Sequence, residues 1–389
     1  MKIMFLTPYF YPKIGGLENY ALNIAKGLRD QGKHEVFIVT SNHISKKYVE
    51  EKVEGLRVIR LPRLFKLSNT PINPFWYSKL RKIIKEEKPD VINAHSPVPL
   101  LADMAFFARG KIPFVFTYHA GSLKKGKFLI DIPIRVYENT VLKHILNSSD
   151  EVITVYPEFI EKLIGNSRSI HQIQPGVDDS LFKINSKIIR DNMTVLYVGR
   201  IERSSHWKGI EVLIKAIAQV RMSYPEINLH LVGDGNAVEG YKKLVNKLGL
   251  TDNVTFMGAM RGDNLANAYQ TATMLVLPST TAAESFGMVL IEAMACSLPV
   301  IGSDIGGIPN VINNHETGIL VKPNSIESLV RAINSTLRFP KTAKEYAINA
   351  AAIVNNEFHW QHKIDKTNKL LINVTASKMQ STNNKVFNK

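Results

Sequence analysis

The chain has 389 residues, 45% of them hydrophobic and 21% charged, and a net charge of +15. That length and balance are those of a soluble globular protein of two or three domains, and no stretch approaches the 18 apolar residues of a transmembrane helix. One cysteine, Cys296, excludes an internal disulfide and fits a small core residue in a reducing cytoplasm.

From the N-terminus, Met1-Lys2-Ile3-Met4-Phe5-Leu6-Thr7-Pro8 is too short and too soon broken by proline for a signal peptide, and reads as a first strand. Further strands are predicted near 34–40, 57–61, 90–95, 113–118, 151–155 and 169–174, with helices between most of them. The clearest helix is Leu17–Asp30, with Leu22, Ala25 and Leu28 inward and Gly32 past its end. Between the first strand and this helix lies Gly15-Gly16, a turn that allows close backbone approach and suits a diphosphate, although a plain tight turn has the same composition. At the end of the 113–118 strand stands His119, able to bond a substrate hydroxyl or move a proton; His95, ending the 90–95 strand, is its rival.

The second half repeats the alternation, with strands near 194–199, 227–232, 253–257, 274–277, 298–302 and 318–321. Alternating β and α implies parallel sheets covered by helices on both faces, and two sets of this size imply two doubly wound domains facing each other. The boundary is expected in the polar stretch Asp178–Asn192, giving domains of about 1–185 and 190–355. Helices are expected over 326–337 and 342–355. A last helix, about 357–375, would pack back on the first domain, and the polar residues 376–389 would fray.

Four strand ends of this half carry candidate chemistry. Gly199-Arg200 is followed by Trp207-Lys208-Gly209; converging Arg and Lys can neutralise a pyrophosphate leaving group. Gly233-Asp234-Gly235 and Met257-Gly258 add glycine turns. After Met274–Leu277, Glu284 stands at a helix entrance and Glu292 about two turns further on, with Ser285, Phe286, Gly287, Met288 and Val289 between. In an open α/β sheet such an entrance is where ligands bind. The plain alternative is a capped helix with one solvated glutamate.

The ordered set Gly15-Gly16, His119, Gly199-Arg200, Lys208-Gly209, Gly233-Asp234-Gly235 and Glu284-x-Phe286-Gly287…Glu292, followed by Ser303–Pro309, resembles the retaining GT4 glycosyltransferases of GT-B fold, from the first strand to about residue 370. The resemblance implies two Rossmann-like domains with a cleft between them and a nucleotide-diphosphate sugar donor, with no cofactor and no metal. Glu292 would hold the ribose, Glu284 the donor sugar, and the backbone of Ser285–Val289 would lie nearby. Arg200 and Lys208 would bind the diphosphate, aided by Gly15 and Gly16; Gly199, Gly233 and Met257 would line the donor site; His119 would touch the sugar's primary hydroxyl. The family spacing of Arg and Lys is shorter than that of Arg200 and Lys208, which leaves Arg203 as a rival for the lysine's place.

Basic charge is concentrated in residues 1–190, which hold 29 Lys and Arg against 18 Asp and Glu, whereas residues 191–389 hold 20 against 16. With aromatic and basic residues mixed over Asn73–Lys82 and Ser122–Ile130, this fits a surface resting on anionic lipid at the inner face of the membrane, and a lipid-linked or cell-envelope glycan acceptor. An ordinary amphipathic helix explains the same pattern. The donor is expected to be a GDP- or UDP-hexose. A nucleotide-sugar epimerase shares the architecture. A nucleic-acid binder is motivated only by the charge and lacks a recognition motif. An NAD-dependent oxidoreductase lacks the glycine fingerprint.

Overall fold

The computed structural model describes all residues except 14, 68–69, 125–127, 166–167, 189, 192 and 388–389. Lys125, Gly126 and Lys127 of the basic stretch, and Asn192 at the end of the expected boundary, therefore lie outside the described residues. The chain forms two compact units, Met1–Pro175 with Trp360–Lys389, and Gly176–His359.

In the first unit the strands are β1 Lys2–Thr7, β2 Glu35–Ser41, β3 Val49–Val53, β4 Leu56–Leu61, β5 Phe65–Leu67, β6 Thr70–Ile72, β7 Val91–Ser96, β8 Phe114–Tyr118, β9 Glu151–Thr154 and β10 His171–Gln172. Its helices are α1 Gly16–Asp30, α2 Trp76–Glu87, α3 Leu101–Ala108, α4 Phe128–Tyr137, α5 Lys143–Ser148 and α6 Pro157–Ile164. Among the described residues the main sheet runs β10-β9-β8-β7-β1-β2-β4-β3, parallel except where β3 turns back on β4. Strand alternation sends Met4 and Leu6 towards one helical layer, with Trp76, Leu80 and Leu101, and Ile3 and Phe5 towards the other, with Ile24 and Leu28. That is why β1 reads as a continuous apolar run.

The second unit contains β11 Thr194–Val198, β12 Asn228–Val232, β13 Val254–Gly258, β14 Met274–Leu277, β15 Val300–Ser303 and β16 Ile319–Val321. Between and after them come α7 Ile210–Val220, α8 Val238–Lys247, α9 Gly262–Thr271, α10 Met288–Ala295, α11 Ile326–Arg338 and α12 Pro340–Glu357. Its sheet is parallel in the order β13-β12-β11-β14-β15-β16. Helices α7 and α11 bury Leu213, Ile217, Leu329 and Ile333 on one face, and α10 packs against α12.

A final helix, α13 Trp360–Phe387, belongs to the first unit. It closes so tightly on α1 that a Cβ at Gly27 would lie 2.2 Å from Ile364. The helix runs to Phe387, through most of the stretch expected to fray, and Lys378 Nζ donates to Asp150 Oδ1 at 2.6 Å. The polar stretch after Asp178 lies in the second unit. Arg190 there donates to the carbonyls of Tyr269, Ala272, Cys296 and Ser297.

Among the described residues, each of the two larger sheets has one place where the strand order reverses. In the first unit it lies between β1 and β7, and in the second between β11 and β14. Connections leaving neighbouring strands in opposite directions open a crevice there, at the carboxyl ends.

Candidate active site

In the second unit the loops after β11 and β14 meet at the reversal point. The segment Arg203–Lys208 forms a 3-10 turn ending on Gly209, whose φ of +74° favours glycine. A Cβ at Gly209 would stand 1.9 Å from the carbonyl oxygen of Pro278. Thr280 N and Oγ1 both donate to Trp207 O, at 2.7 and 3.1 Å. The two loops are thereby held in contact.

This docking carries Lys208 back to the sheet edge. Its Nζ donates to Glu284 Oε2 at 2.8 Å and lies 4.7 Å from the Trp207 ring centroid. Ser279 Oγ donates to the same carboxylate oxygen at 3.1 Å. Glu284 is 8% exposed, and its carbonyl accepts from Gly307 N at 2.9 Å. Side chains at Gly306 or Gly307 would strike the 284–285 backbone. The longer loop between Arg200 and Lys208 is thus taken up by the 3-10 turn. Arg203 is exposed, with its backbone N–H on Asn236 Oδ1. Arg200 is exposed just beyond β11 and makes no hydrogen bond or ion pair among the described residues.

The glycines of the neighbouring loops are explained by close approach of backbone. Gly233, at φ +146°, faces Gly199 O so closely that a Cβ would lie 1.8 Å from it. Gly233 N in turn donates to Gly258 O at 2.8 Å. Beneath the Gly199 turn, Tyr197 Oη is buried without a hydrogen-bond partner among the described residues, and its pKa is pushed up by burial and by the Glu284 charge. Met257 is exposed at the end of β13.

Gly287, at φ +81°, caps α10 and lets the chain turn from the Glu284 loop into the helix. Phe286 is buried with its ring 5.8 Å from that of Phe358, while Ser285, Met288 and Val289 are partly exposed. One turn into α10, Glu292 accepts from Tyr269 Oη at 2.7 Å. Burial pushes its carboxyl up to about 7, against the stabilising effect of that hydrogen bond. Glu284 and Glu292 therefore have separate partners and separate environments.

In the first unit, Gly15 precedes α1 in an extended conformation and Gly16 is its first residue. His119, 8% exposed, follows β8, and its backbone N–H donates to Ser96 O at 2.9 Å. Its Nε2 lies 2.9 Å from His95 Nδ1, and His95 Nε2 lies 2.9 Å from Asn93 Oδ1. Asn93 Nδ2 donates to Thr117 Oγ1 and Val115 O. The amide thus presents its oxygen to His95, which donates from Nε2 and accepts at Nδ1, so the proton of His119 sits on Nε2. Burial keeps both rings neutral: His119 is lowered to about 3 and His95 well below the usual value. Tyr20 on α1 closes over His119 edge to face, at 4.7 Å. His95 is therefore the partner of His119 and not an alternative to it.

Sequence reasoning passed over Ser279, Tyr197, Tyr269 and Asn93. Ser279 could have been found from its place just after a buried strand. The other three sit inside strands or a helix, where only the register aims them. Among the described residues no group of three or more His, Cys, Asp or Glu is placed to hold a metal ion.

Residues 180–352 match the family described as "Glycosyl transferases group 1", and residues 14–181 match "Glycosyltransferase Family 4". The chain is a GT4-like glycosyltransferase of GT-B fold. The "Phosphatidyl-myo-inositol mannosyltransferase" of Mycolicibacterium smegmatis is 26% identical, over 92% of this chain and 90% of that protein. Among solved structures, sucrose-phosphate synthase from Thermosynechococcus elongatus superposes with a TM-score of 0.81 at 24% identity, covering 97% of this glycosyltransferase and 99% of the synthase. Anabaena HepE in complex with UDP-glucose superposes with a TM-score of 0.73 at 23% identity, covering 95% and 99%. No helix among the described residues is long and apolar enough to cross a membrane.

Proposed function

We propose that this glycosyltransferase moves a hexosyl group from a nucleotide-diphosphate sugar to a glycan or lipid-linked acceptor, with retention at the anomeric carbon and without a divalent metal. The observation that carries the reading is the meeting of Lys208, Ser279 and Glu284 at the β11/β14 reversal, beside exposed Arg200. A carboxylate there accepts hydrogen bonds from sugar hydroxyls, and the two cations answer the charge that grows on the departing diphosphate. The close Lys208 contact supports that residue, rather than Arg203, as the second cation.

In the reaction, the bond from the anomeric carbon to the diphosphate oxygen breaks and the acceptor oxygen bonds to the same face. The acceptor's proton passes to the leaving phosphate oxygen. Ionised Glu292 holds the ribose hydroxyls, with Gly199, Gly233, Met257 and Ser285–Val289 lining the nucleotide and sugar. Neutral His119 bonds the sugar's primary hydroxyl, and Gly15 and Gly16 offer amides to the diphosphate. The UDP-glucose bound by HepE supports a UDP-hexose, with GDP-hexose as the other donor to test.

The named activity of the mycobacterial relative on phosphatidyl-myo-inositol supports a lipid acceptor. So does the first unit's surface, where Phe75 and Tyr77 are exposed beside the exposed bases Arg81 and Lys82 of α2. The enzyme then works at the cytoplasmic face of a membrane, held peripherally by anionic lipid.

The test is a thermal-shift panel of UDP-, GDP- and ADP-hexoses, followed by NMR of the anomeric proton in the product. Stabilisation by one nucleotide sugar and an unchanged anomeric configuration are expected. A protein stabilised by none of them contradicts the donor assignment, and an inverted product contradicts retention. Cosedimentation with anionic vesicles no greater than with neutral ones at low salt contradicts the membrane contact.

A further inference from the structure

Towards the carboxyl ends of the first unit's strands, the apolar alternation gives way to a polar row. Thr7 of β1 pairs in register with Thr40 of β2, and Thr40 with Arg60 of β4. On the other side of β1, His95 of β7 pairs with Thr117 of β8. Alternation puts all five on the face that α1 covers. The His95 end of this row serves His119. The Arg60 end has no role in the reading above.

Arg60 is 1% exposed. Its Nε is paired with Glu51 and its Nη2 donates to Tyr11 O. Nη1 is buried with no hydrogen-bond partner among the described residues. The same is true of Thr40 Oγ1 and of His43 Nδ1, three residues after Thr40. Tyr9 flanks this corner, its ring centroid 6.0 Å from that of His43 and 3.1 Å from Lys13 Nζ. The charges of Arg60, Lys13, Arg63 and Lys66 all act on His43, which burial and those cations keep neutral by lowering it to about 4. Among the described residues, Glu51 is paired with Arg60, and the charge of Glu18 acts on Tyr9.

We propose that this corner, at the carboxyl ends of β2 and β4, is an oxyanion site for a phosphate group carried by the acceptor. Buried donors left unpaired are costly, and a cationic excess at a sheet's carboxyl edge draws an anion that satisfies them together. A tetrahedral oxyanion takes the Nη1–H of Arg60, the hydroxyl of Thr40 and an N–H at His43 Nδ1, while Arg63 and Lys66 close its outer side. The phosphate is either that of a lipid headgroup or that of a soluble phosphorylated acceptor, since both present the same oxygens. Calling its carrier an acceptor rests on the glycosyltransferase reading; the anion site itself does not.

The experiment is calorimetric titration of the full chain, saturated with UDP to fill any donor diphosphate site, with inorganic phosphate and with glycerol 3-phosphate. A second arm measures cosedimentation with phosphatidylcholine vesicles with and without phosphatidylglycerol. Saturable binding of a soluble phosphate, or retention on the anionic vesicles, is expected, and Arg60→Gln should weaken it about tenfold or more, the usual cost of a charge-assisted hydrogen bond. Because Arg60 is buried, Thr40→Val and Arg63→Gln are measured beside it; both leave the pairing with Glu51 and Tyr11 in place and should weaken binding roughly two- to fivefold. Soluble binding alone assigns a soluble acceptor, and vesicle binding lost in these variants assigns a headgroup. Absence of both, or binding unaltered in Thr40→Val and Arg63→Gln, overturns the site. A UDP thermal shift on the same protein keeps the two readings apart, since it reports the donor site whatever the phosphate titration gives.

Discussion

Glu292 makes the second unit's stability depend on pH in a direction opposite to that of a salt-bridged carboxylate. Its folded pKa is raised from 4.5 to about 7, chiefly by burial. Between those values the folded carboxyl still holds a proton that the unfolded chain has released. The stability carried by the protonated form is therefore complete below pH 4.5 and lost as pH rises through 7. At about 1.4 kcal/mol per unit, the displacement corresponds to roughly 3 kcal/mol. Glu292→Gln removes the titration and keeps an acceptor for Tyr269 Oη. In urea unfolding at pH 5 to 8, the variant should gain on the parent protein as pH rises, by up to about 3 kcal/mol at pH 8. Nucleotide binding should run the other way, because ribose hydroxyls favour the ionised carboxylate: UDP affinity in the parent rises up to about pH 7, and in the variant is weaker and flat. A stability difference that does not change between pH 5 and 8, or one that shrinks, refutes the reasoning.

Lys208→Met should lower kcat by about 10²- to 10³-fold, the usual loss for a group meeting developing charge, whereas exposed Arg203→Met should stay within about threefold; steady-state kinetics with the accepted donor distinguishes them. His95→Gln should lower kcat about tenfold or more with less effect on donor KM, because the acceptor that orients the His119 proton is lost, and histidine NMR should show the altered tautomer. Gly233→Ala drives a Cβ to 1.8 Å from Gly199 O and should cost about 2 kcal/mol or more in thermal unfolding, whereas Gly240→Ala, inside α8 with open space around it, should stabilise by roughly 0.5–1 kcal/mol.

The elements legible in the sequence are those whose burial is two-sided. Met274–Leu277, Thr194–Val198 and the β1 run are apolar on both faces, and parallel strands between helices leave that signature wherever they occur. β3 leaves none, because three charged residues in a row, Glu50-Glu51-Lys52, stand between its terminal valines on an edge, and its hairpin turn is Glu54-Gly55 rather than Asn-Gly. Polar composition alone does not say to which unit the stretch after Asp178 belongs: Arg190, among charged and amide residues, ties four carbonyls of the second unit.

Site residues divide in the same way. Glycines, Glu284 and Lys208 lie in loops whose local sequence announces a turn, so their positions can be read in one dimension. Arg60 and His95 sit within strands and look like an edge base and a spare histidine. Their chemistry comes from the parallel register, which sets Thr40 beside Arg60 and Thr117 beside His95 at one level of the sheet. At that level buried polar side chains either complete one another's hydrogen bonds, as Asn93, His95 and Thr117 do, or keep donors open for a ligand, as Arg60 and Thr40 do. The polar ends of buried strands, compared across the sheet at equal height, therefore carry information about binding that spacing along the chain does not.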